Sequence, residues 1–193
     1  MIHTLSGKLA EKNDGYLVVE VGGIGFKVVT NTRTAASASA GEAAKLFTHL
    51  YVREDKIELY GFMDEGSLKL FELLISVSGI GPKSALAILD IDSSENIIAA
   101  IAGKRPDILT RASGVGQKTA ERVVLELQSR IKIPSGTKRL TEAMDVNQEV
   151  EEALVGLGYG RAAARQAISK IGPEFKALEE RLKQTLKNLG RRS

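Results

Sequence analysis

Two stretches of this chain carry residues whose types and spacing suit a definite chemistry: SGIGPKSA at Ser78–Ala85 and SGVGQKTA at Ser113–Ala120. Both spell Gly-aliphatic-Gly-x-Lys-hydroxyl-Ala, with Gly79 and Gly114 standing 35 positions apart. Glycine admits positive φ and lets a backbone approach a ligand closely. A helix starting just after it offers unpaired N–H groups and the positive end of its dipole. Lysine and a hydroxyl in that first turn add a charge and a hydrogen-bond donor. The sum is a receptor for an oxyanion, above all a phosphate. With 19 glycines in the chain a bare Gly-x-Gly means little, so the weight rests on the longer shared pattern.

Two kinds of phosphate site use glycine in this way. A nucleotide-binding P-loop needs GxxxxGK[ST], with glycine directly before lysine and a strand leading in. Here Pro82 and Gln117 precede Lys83 and Lys118, and the segments leading in are helical in spacing, so the P-loop is set aside. The pattern fits a helix-hairpin-helix. Gly79, Gly81, Gly114 and Gly116 shape its turns, while Ile80 and Val115 tuck into the hairpin cores. Lys83 and Lys118 then stand beside the phosphate, with Ser84 and Thr119 as donors. Such contacts grip a nucleic-acid backbone without reading bases. One hairpin holds one stretch of backbone; two, related by a local pseudo-dyad, hold both strands of a duplex across the minor groove. Two helix C-cap turns with no ligand are the purely structural alternative.

The elements around these turns follow from periodicity. From Met1 to about Phe62 short alternating runs (IHTLSGKLAE, GYLVVEV, GFKVVTN, AAKLFTHLYV, KIELYGF) predict five or six strands. KNDG at Lys12–Gly15 is a hairpin turn, and GGIG at Gly22–Gly25 bends or bulges a strand. So many short strands suggest a small closed, OB-like barrel over residues 1–63. Residues 64–131 change to helical spacing, with Leu68, Phe71, Leu74 and Ile75 as an apolar stripe, Ser93 or Ser94 as an N-cap, and Pro106 at a first helical position. KIPSGTKRLTEAMD at 132–145 reads as a linker. Residues 146–193 give three amphipathic helices, a unit small enough to be marginal alone and suited to mobile docking. The fold class is thus α+β and multidomain.

Composition narrows the field. No apolar run reaches the roughly 20 residues of a membrane span, and the start MIHTLSGKLAEK is no signal peptide, which places the chain in the cytoplasm. With no cysteine there is no disulfide framework and no thiolate metal site or nucleophile. His3 and His49 lie in no metal-binding spacing and read as ordinary strand residues. A net charge of +3 tolerates a nucleic-acid partner, but there is no basic tail, so any grip on an anion falls to particular loops.

A barrel, two helix-hairpin-helix units, a linker and a three-helix module, in that order, resemble the RuvA family of Holliday-junction recognition subunits of the bacterial branch-migration complex. The resemblance covers essentially the whole chain. Its most specific pieces are EVGGIGFKV (Glu20–Val28), FTHLYVREDKIELYGF (Phe47–Phe62), LISVSGIGPKSALAIL (Leu74–Leu89), SGVGQKTAERVVLEL (Ser113–Leu127) and ALVGLGYGRAAARQAISKI (Ala153–Ile171). It implies a flat homotetramer, sometimes stacked as an octamer, with a four-way DNA junction spread over one face. It puts the DNA contacts on Gly79, Ile80, Gly81, Pro82, Lys83 and Ser84, and on Gly114, Val115, Gly116, Gln117, Lys118, Thr119 and Arg122. The family's acidic pin is matched by Glu54 and Asp55 inside VREDK, a pair that alone reads as a charged turn. Carboxylates gathered from four copies at the crossover would repel phosphates and keep the centre open.

The resemblance further implies a UBA-like C-terminal module that docks on RuvB, the hexameric ATPase motor, with Leu157, Gly158 and Tyr159 as candidate contacts; core packing explains those residues equally well. The RuvC resolvase is a further implied partner, whereas a cofactor, a metal and ATP hydrolysis by this chain are not implied. The chain departs from the family in carrying His3 and Thr4 where Gly and Arg are common, Gln117 where a second lysine is usual, and a short linker; the two sequence changes weaken phosphate attraction modestly. Rival readings come from other classes. A glycosylase or nuclease would need a catalytic Asp or metal cluster, and none is apparent. A single-strand binder would stack bases on barrel aromatics such as Tyr16, Phe26, Phe47, Tyr51, Tyr60 and Phe62. A general helix-hairpin-helix or OB-type DNA binder would lack junction preference.

Overall fold

The computed structural model describes residues 2–131, 137–172, 175 and 177–190, with the backbone alone for 137–145 and 190. The chain divides into two compact units, Met1–Pro134 and Ser135–Ser193.

Alternating apolar residues in the first unit build five strands: β1 (Thr4–Asn13), β2 (Tyr16–Val21), β3 (Ile24–Val29), β4 (Ala43–Val52) and β5 (Ile57–Phe62). They close into a barrel in the order β1-β2-β3-β5-β4. Every pairing is antiparallel except β3 with β5. Leu5, Leu9, Leu17, Val19, Val28, Leu46 and Leu59 fill its interior. Asp14–Gly15 is a two-residue hairpin loop, since Asn13 pairs with Tyr16. Gly22–Gly23 is another, joining Val21 to its partner Ile24. At the closing seam Gly61 has no room for a side chain: a Cβ there would collide with Val28. One short helix was not expected, α1 (Thr32–Ser37), between β3 and β4. Its N-cap is Asn31, whose Oδ1 accepts from Thr34 N at 3.1 Å.

Five helices follow: α2 (Glu65–Ile75), α3 (Pro82–Leu89), α4 (Ser94–Ala102), α5 (Pro106–Leu109) and α6 (Gln117–Leu127). Asp64 caps α2 and Ser93 caps α4, while Pro82 and Pro106 open α3 and α5. Their apolar faces, including the expected Leu68, Phe71 and Leu74, form a core that extends onto the barrel wall through Tyr60 and Phe62 of β5. Phe71 lies 5.1 Å from the Tyr60 ring and 5.2 Å from that of Phe62. His49 of β4 packs edge-on against Phe71 at 5.8 Å, and its Nδ1 lies 3.0 Å from Glu72 Oε1. Barrel and hairpins therefore share one apolar seam.

Before α5, Arg105 grips Asp107 with two bonds, Nε to Oδ1 at 2.9 Å and Nη2 to Oδ2 at 3.0 Å. This hydrogen bonding holds the Asp107 carboxyl below its ordinary range against the opposing effect of burial. A depressed carboxyl pKa contributes stability that is complete above the unfolded value, about pH 4, and disappears as pH falls through the folded value. Asp107→Asn is expected to cost under about 1 kcal/mol at neutral pH, because the carboxylate is half exposed. It is also expected to flatten the acid limb below about pH 4, read as urea midpoints against pH.

In the second unit α7 (Thr137–Gly156), α8 (Arg161–Ile168) and α9 (Leu178–Gly190) pack around Val150, Leu154, Ala164 and Ile168. The expected linker of 132–145 needs correction: α7 begins at Thr137, nine residues ahead of the expected helix start at 146. Past Gly136 that stretch holds no helix breaker, and Lys138, Arg139, Leu140, Glu142, Ala143 and Met144 all favour helix. Residues 132–136 lie outside those described. Glu151, buried despite its charge, takes a bond from Arg165 Nε at 2.9 Å and lies 3.6 Å from Arg161 Nη1. Among the described residues no helix is long and apolar enough to cross a membrane.

Candidate nucleic-acid interface

The sequence repeat is a structural repeat at every step of the turn. Val77 N donates to Leu74 O at 3.1 Å, and Ala112 N to Leu109 O at 3.1 Å. Ile80 N donates to Val77 O at 3.0 Å, and Val115 N to Ala112 O at 3.2 Å. Gly79 has φ +88° and Gly114 φ +77°, left-handed values that a side chain would strain. Gly81 (φ −91°, ψ 172°) and Gly116 (φ −82°, ψ 171°) are extended and serve as N-caps of α3 and α6. Ile80 and Val115 are buried between the paired glycines, as expected, which pins each loop to its core.

Neither N-cap glycine supplies a side-chain hydrogen bond to its helix. The leading N–H groups of α3 and α6, which lack an intrahelical acceptor as at any helix start, thus have no side-chain cap either, and they stand beside exposed glycines. Lys83 and Lys118 are exposed in the first turns, and Ser84 and Thr119 stand half-buried beside them. Pro82 occupies the first position of α3, where its missing N–H costs nothing. Its counterpart Gln117 turns along α6 instead, its Nε2 donating to Glu121 Oε1 at 2.8 Å. Each hairpin thus presents backbone donors, a helix N-terminus and one ammonium group, an arrangement that suits an anion.

Two arginines join the hairpins. Arg122, exposed on α6, donates from Nη1 to Ser78 O at 3.2 Å in the first loop. Arg130 Nη1 donates to Ser76 Oγ at 2.9 Å, just before that loop. Arg122 was among the expected DNA contacts; Arg130 was not, because its partner lies 54 residues away with no local signal.

Glu54 and Asp55 form the exposed tip of the β4–β5 hairpin; among the described residues neither makes a hydrogen bond or ion pair, and Asp55 acts on Lys56 through charge alone. Arg53 N donates to Lys56 O at 2.9 Å and closes the turn. The flanking cations fold away from the tip: Arg53 Nε donates to Tyr51 Oη at 2.8 Å, and Lys56 Nζ lies 2.9 Å from Glu58 Oε2. Hydrogen bonds from Lys56 and then Tyr60 hold the Glu58 carboxyl below its usual range, with Lys83 adding its charge.

None of the six barrel aromatics is exposed; Tyr60 and Phe62 are buried and the others half-buried. Among the described residues no cluster of three or more His, Cys, Asp or Glu is placed to hold a metal. In the second unit Leu157, Gly158 and Tyr159 form the loop between α7 and α8, with Gly158 at φ +92°. Leu157 is 61% exposed and Tyr159 37%, so these two side chains do not belong to the module's core.

Three family models match the chain: RuvA N terminal domain over residues 1–61, SAM-like helix-hairpin-helix tandem over 71–129, and RuvA C-terminal domain over 145–190. Several curated relatives are named Holliday junction branch migration complex subunit RuvA. That of Acetivibrio thermocellus is 38% identical over 99% of this chain and 100% of its own length. That of Chloroflexus aggregans is 40% identical over 98% and 99%. That of Thermomicrobium roseum is 40% identical over 98% of both. Matches of this extent take in the barrel, the duplicated hairpins and the three-helix unit together, and the chain belongs to the RuvA family.

Proposed function

We propose that this protein is a structure-specific, sequence-independent reader of four-way DNA junctions, serving branch migration in recombination and repair. The observation that carries the reading is the duplicated hairpin, with the same bonds, φ values and N-cap geometry at a constant 35-residue spacing. Gly79, Gly81, Lys83 and Ser84 take one strand's phosphates, and Gly114, Gly116, Lys118, Thr119 and Arg122 take the other's. Ile80 and Val115 hold the loops in shape, with Pro82 and Gln117 starting the two helices. Four copies in a flat ring match the four arms of a junction. The names of the relatives, each a subunit of a Holliday junction branch migration complex, support this reading.

The chain acts by binding and does no covalent chemistry. It works in the cytoplasm beside RuvB, which burns the ATP, and the RuvC resolvase joins the same assembly. The loop at Leu157, Gly158 and Tyr159 supplies the RuvB contact: two large side chains in water beside a positive-φ glycine make a small protruding knob suited to a partner's groove. The single-strand alternative is disfavoured because the barrel aromatics are covered rather than set out as a stacking face.

Glu54 and Asp55 supply discrimination. Unpaired at a hairpin tip, they repel phosphates wherever DNA would run straight across the centre, and tolerate a junction whose arms turn outward. Glu54→Gln with Asp55→Asn is expected to raise affinity for linear duplex about three- to tenfold while junction affinity changes little. Gel-shift titrations of both DNAs read this directly. An unchanged junction-to-duplex ratio would remove the acidic tip from the account.

A further inference from the structure

Strand alternation places Leu46, Thr48, Leu50 and Val52 of β4 on the barrel-lining face, together with Ile57, Leu59 and Gly61 of β5. Along that face exposure climbs from 0% at Leu46 and 7% at Leu59 to 59% at Val52 and 72% at Ile57. The hairpin outruns the barrel, so its inner face ends in two apolar side chains with nothing of the barrel left to cover them. Val52 and Ile57 are cross-strand partners, side by side, and both are β-branched and stiff. The opposite face of the adjacent rung carries the paired residues Tyr51 and Glu58, onto which Arg53 and Lys56 fold. From base to tip the projection thus reads apolar pair, averted cations, two carboxylates.

We propose that Val52 and Ile57 form an apolar wedge against which nucleobases at the junction crossover pack when they unstack, an inference that rests on the junction-binding reading above. The charge pattern selects this occupant. Glu54 and Asp55 repel phosphates and equally repel the same tip of another copy. Bases are the neutral, flat-faced part of DNA, and apolar side chains set between base steps are an established way of holding them apart. Carboxylates that clear phosphates from the centre and an apolar pair that accepts the freed bases are complementary parts of one device.

The test uses the full chain and a four-way junction with 2-aminopurine beside the crossover. Val52→Thr with Ile57→Thr keeps branching and strand propensity while removing the apolar faces. Wild-type protein is expected to raise 2-aminopurine fluorescence several-fold, and the variant to lose more than about half of that rise with junction affinity held within about threefold. A variant that unstacks as well as wild type overturns the wedge and leaves the junction reading standing. A fall in native mass by light scattering overturns it too, by assigning the pair to contacts between copies. A wild-type protein without preference for the junction over duplex overturns the junction reading itself, and the wedge with it.

Discussion

Lys83→Glu combined with Lys118→Glu is expected to lower affinity for a four-way junction by at least about 100-fold at low salt. Each lysine stands in the first turn of its helix, beside the N-terminal dipole and backbone donors proposed to take a phosphate, so reversal would replace attraction with repulsion there. A unit charge about 4 Å from a phosphate is worth on the order of 1 kcal/mol in water and several times that in a partly dehydrated interface. Two reversals per copy, repeated around the proposed ring, would multiply. The slope of log K against log salt should also shrink by about 0.9 for every phosphate left without its neutralising cation. Both side chains are exposed, so the unfolding midpoint should stay near wild type. The single variants should fall between, and a double variant that binds within about threefold of wild type would mean the hairpins are not the grip.

The largest stability effect is expected at Phe71→Ala, about 3–5 kcal/mol by urea unfolding. The ring is fully buried and packs against Tyr60 and Phe62 from the barrel and His49 at its edge. Removing it opens a cavity between two layers, neither of which can collapse without dragging a strand or a helix with it. Since small domains hold only about 5–15 kcal/mol in all, the variant would be near the edge of folding, and junction binding should fall with the folded fraction. Phe71→Leu, which keeps most of the volume, should recover most of the loss. A cost below about 1 kcal/mol for the alanine variant would show that barrel and hairpins do not lean on a shared core.

What could be read from the sequence was local. Gly79 and Gly114 announce positive φ, Asp14–Gly15 announces a tight turn, and alternation in YLVVEV announces a strand, because each signal is set by neighbours a few residues away. The paired glycine turns were visible for the same reason. The short helix α1 escaped because its cap, Asn31, sits among Thr, Ala and Ser residues with no apolar period. The start of α7 at Thr137 escaped because KIPSG reads as a break and hides the helix formers after it. Long-range geometry was out of reach: that Arg130 bonds Ser76, that Tyr60 and Phe62 face α2 rather than the barrel interior, and that Val52 and Ile57 overhang the barrel's end depend on closure and packing. For Leu157 and Tyr159 the sequence left partner contact and core packing equally open, since apolar residues near a helix end suit either; the loop around Gly158 lifts them out.

The central claim is that two matching backbone grips and an acidic tip select a four-way junction over ordinary duplex. A gel-shift competition between a synthetic junction and linear duplex of the same sequence, with magnesium and at two salt concentrations, tests it most directly. The account predicts strong preference for the junction at both concentrations, with affinity for each DNA falling steeply as salt rises. Equal binding to the two would contradict it and reduce the protein to a general helix-hairpin-helix DNA binder.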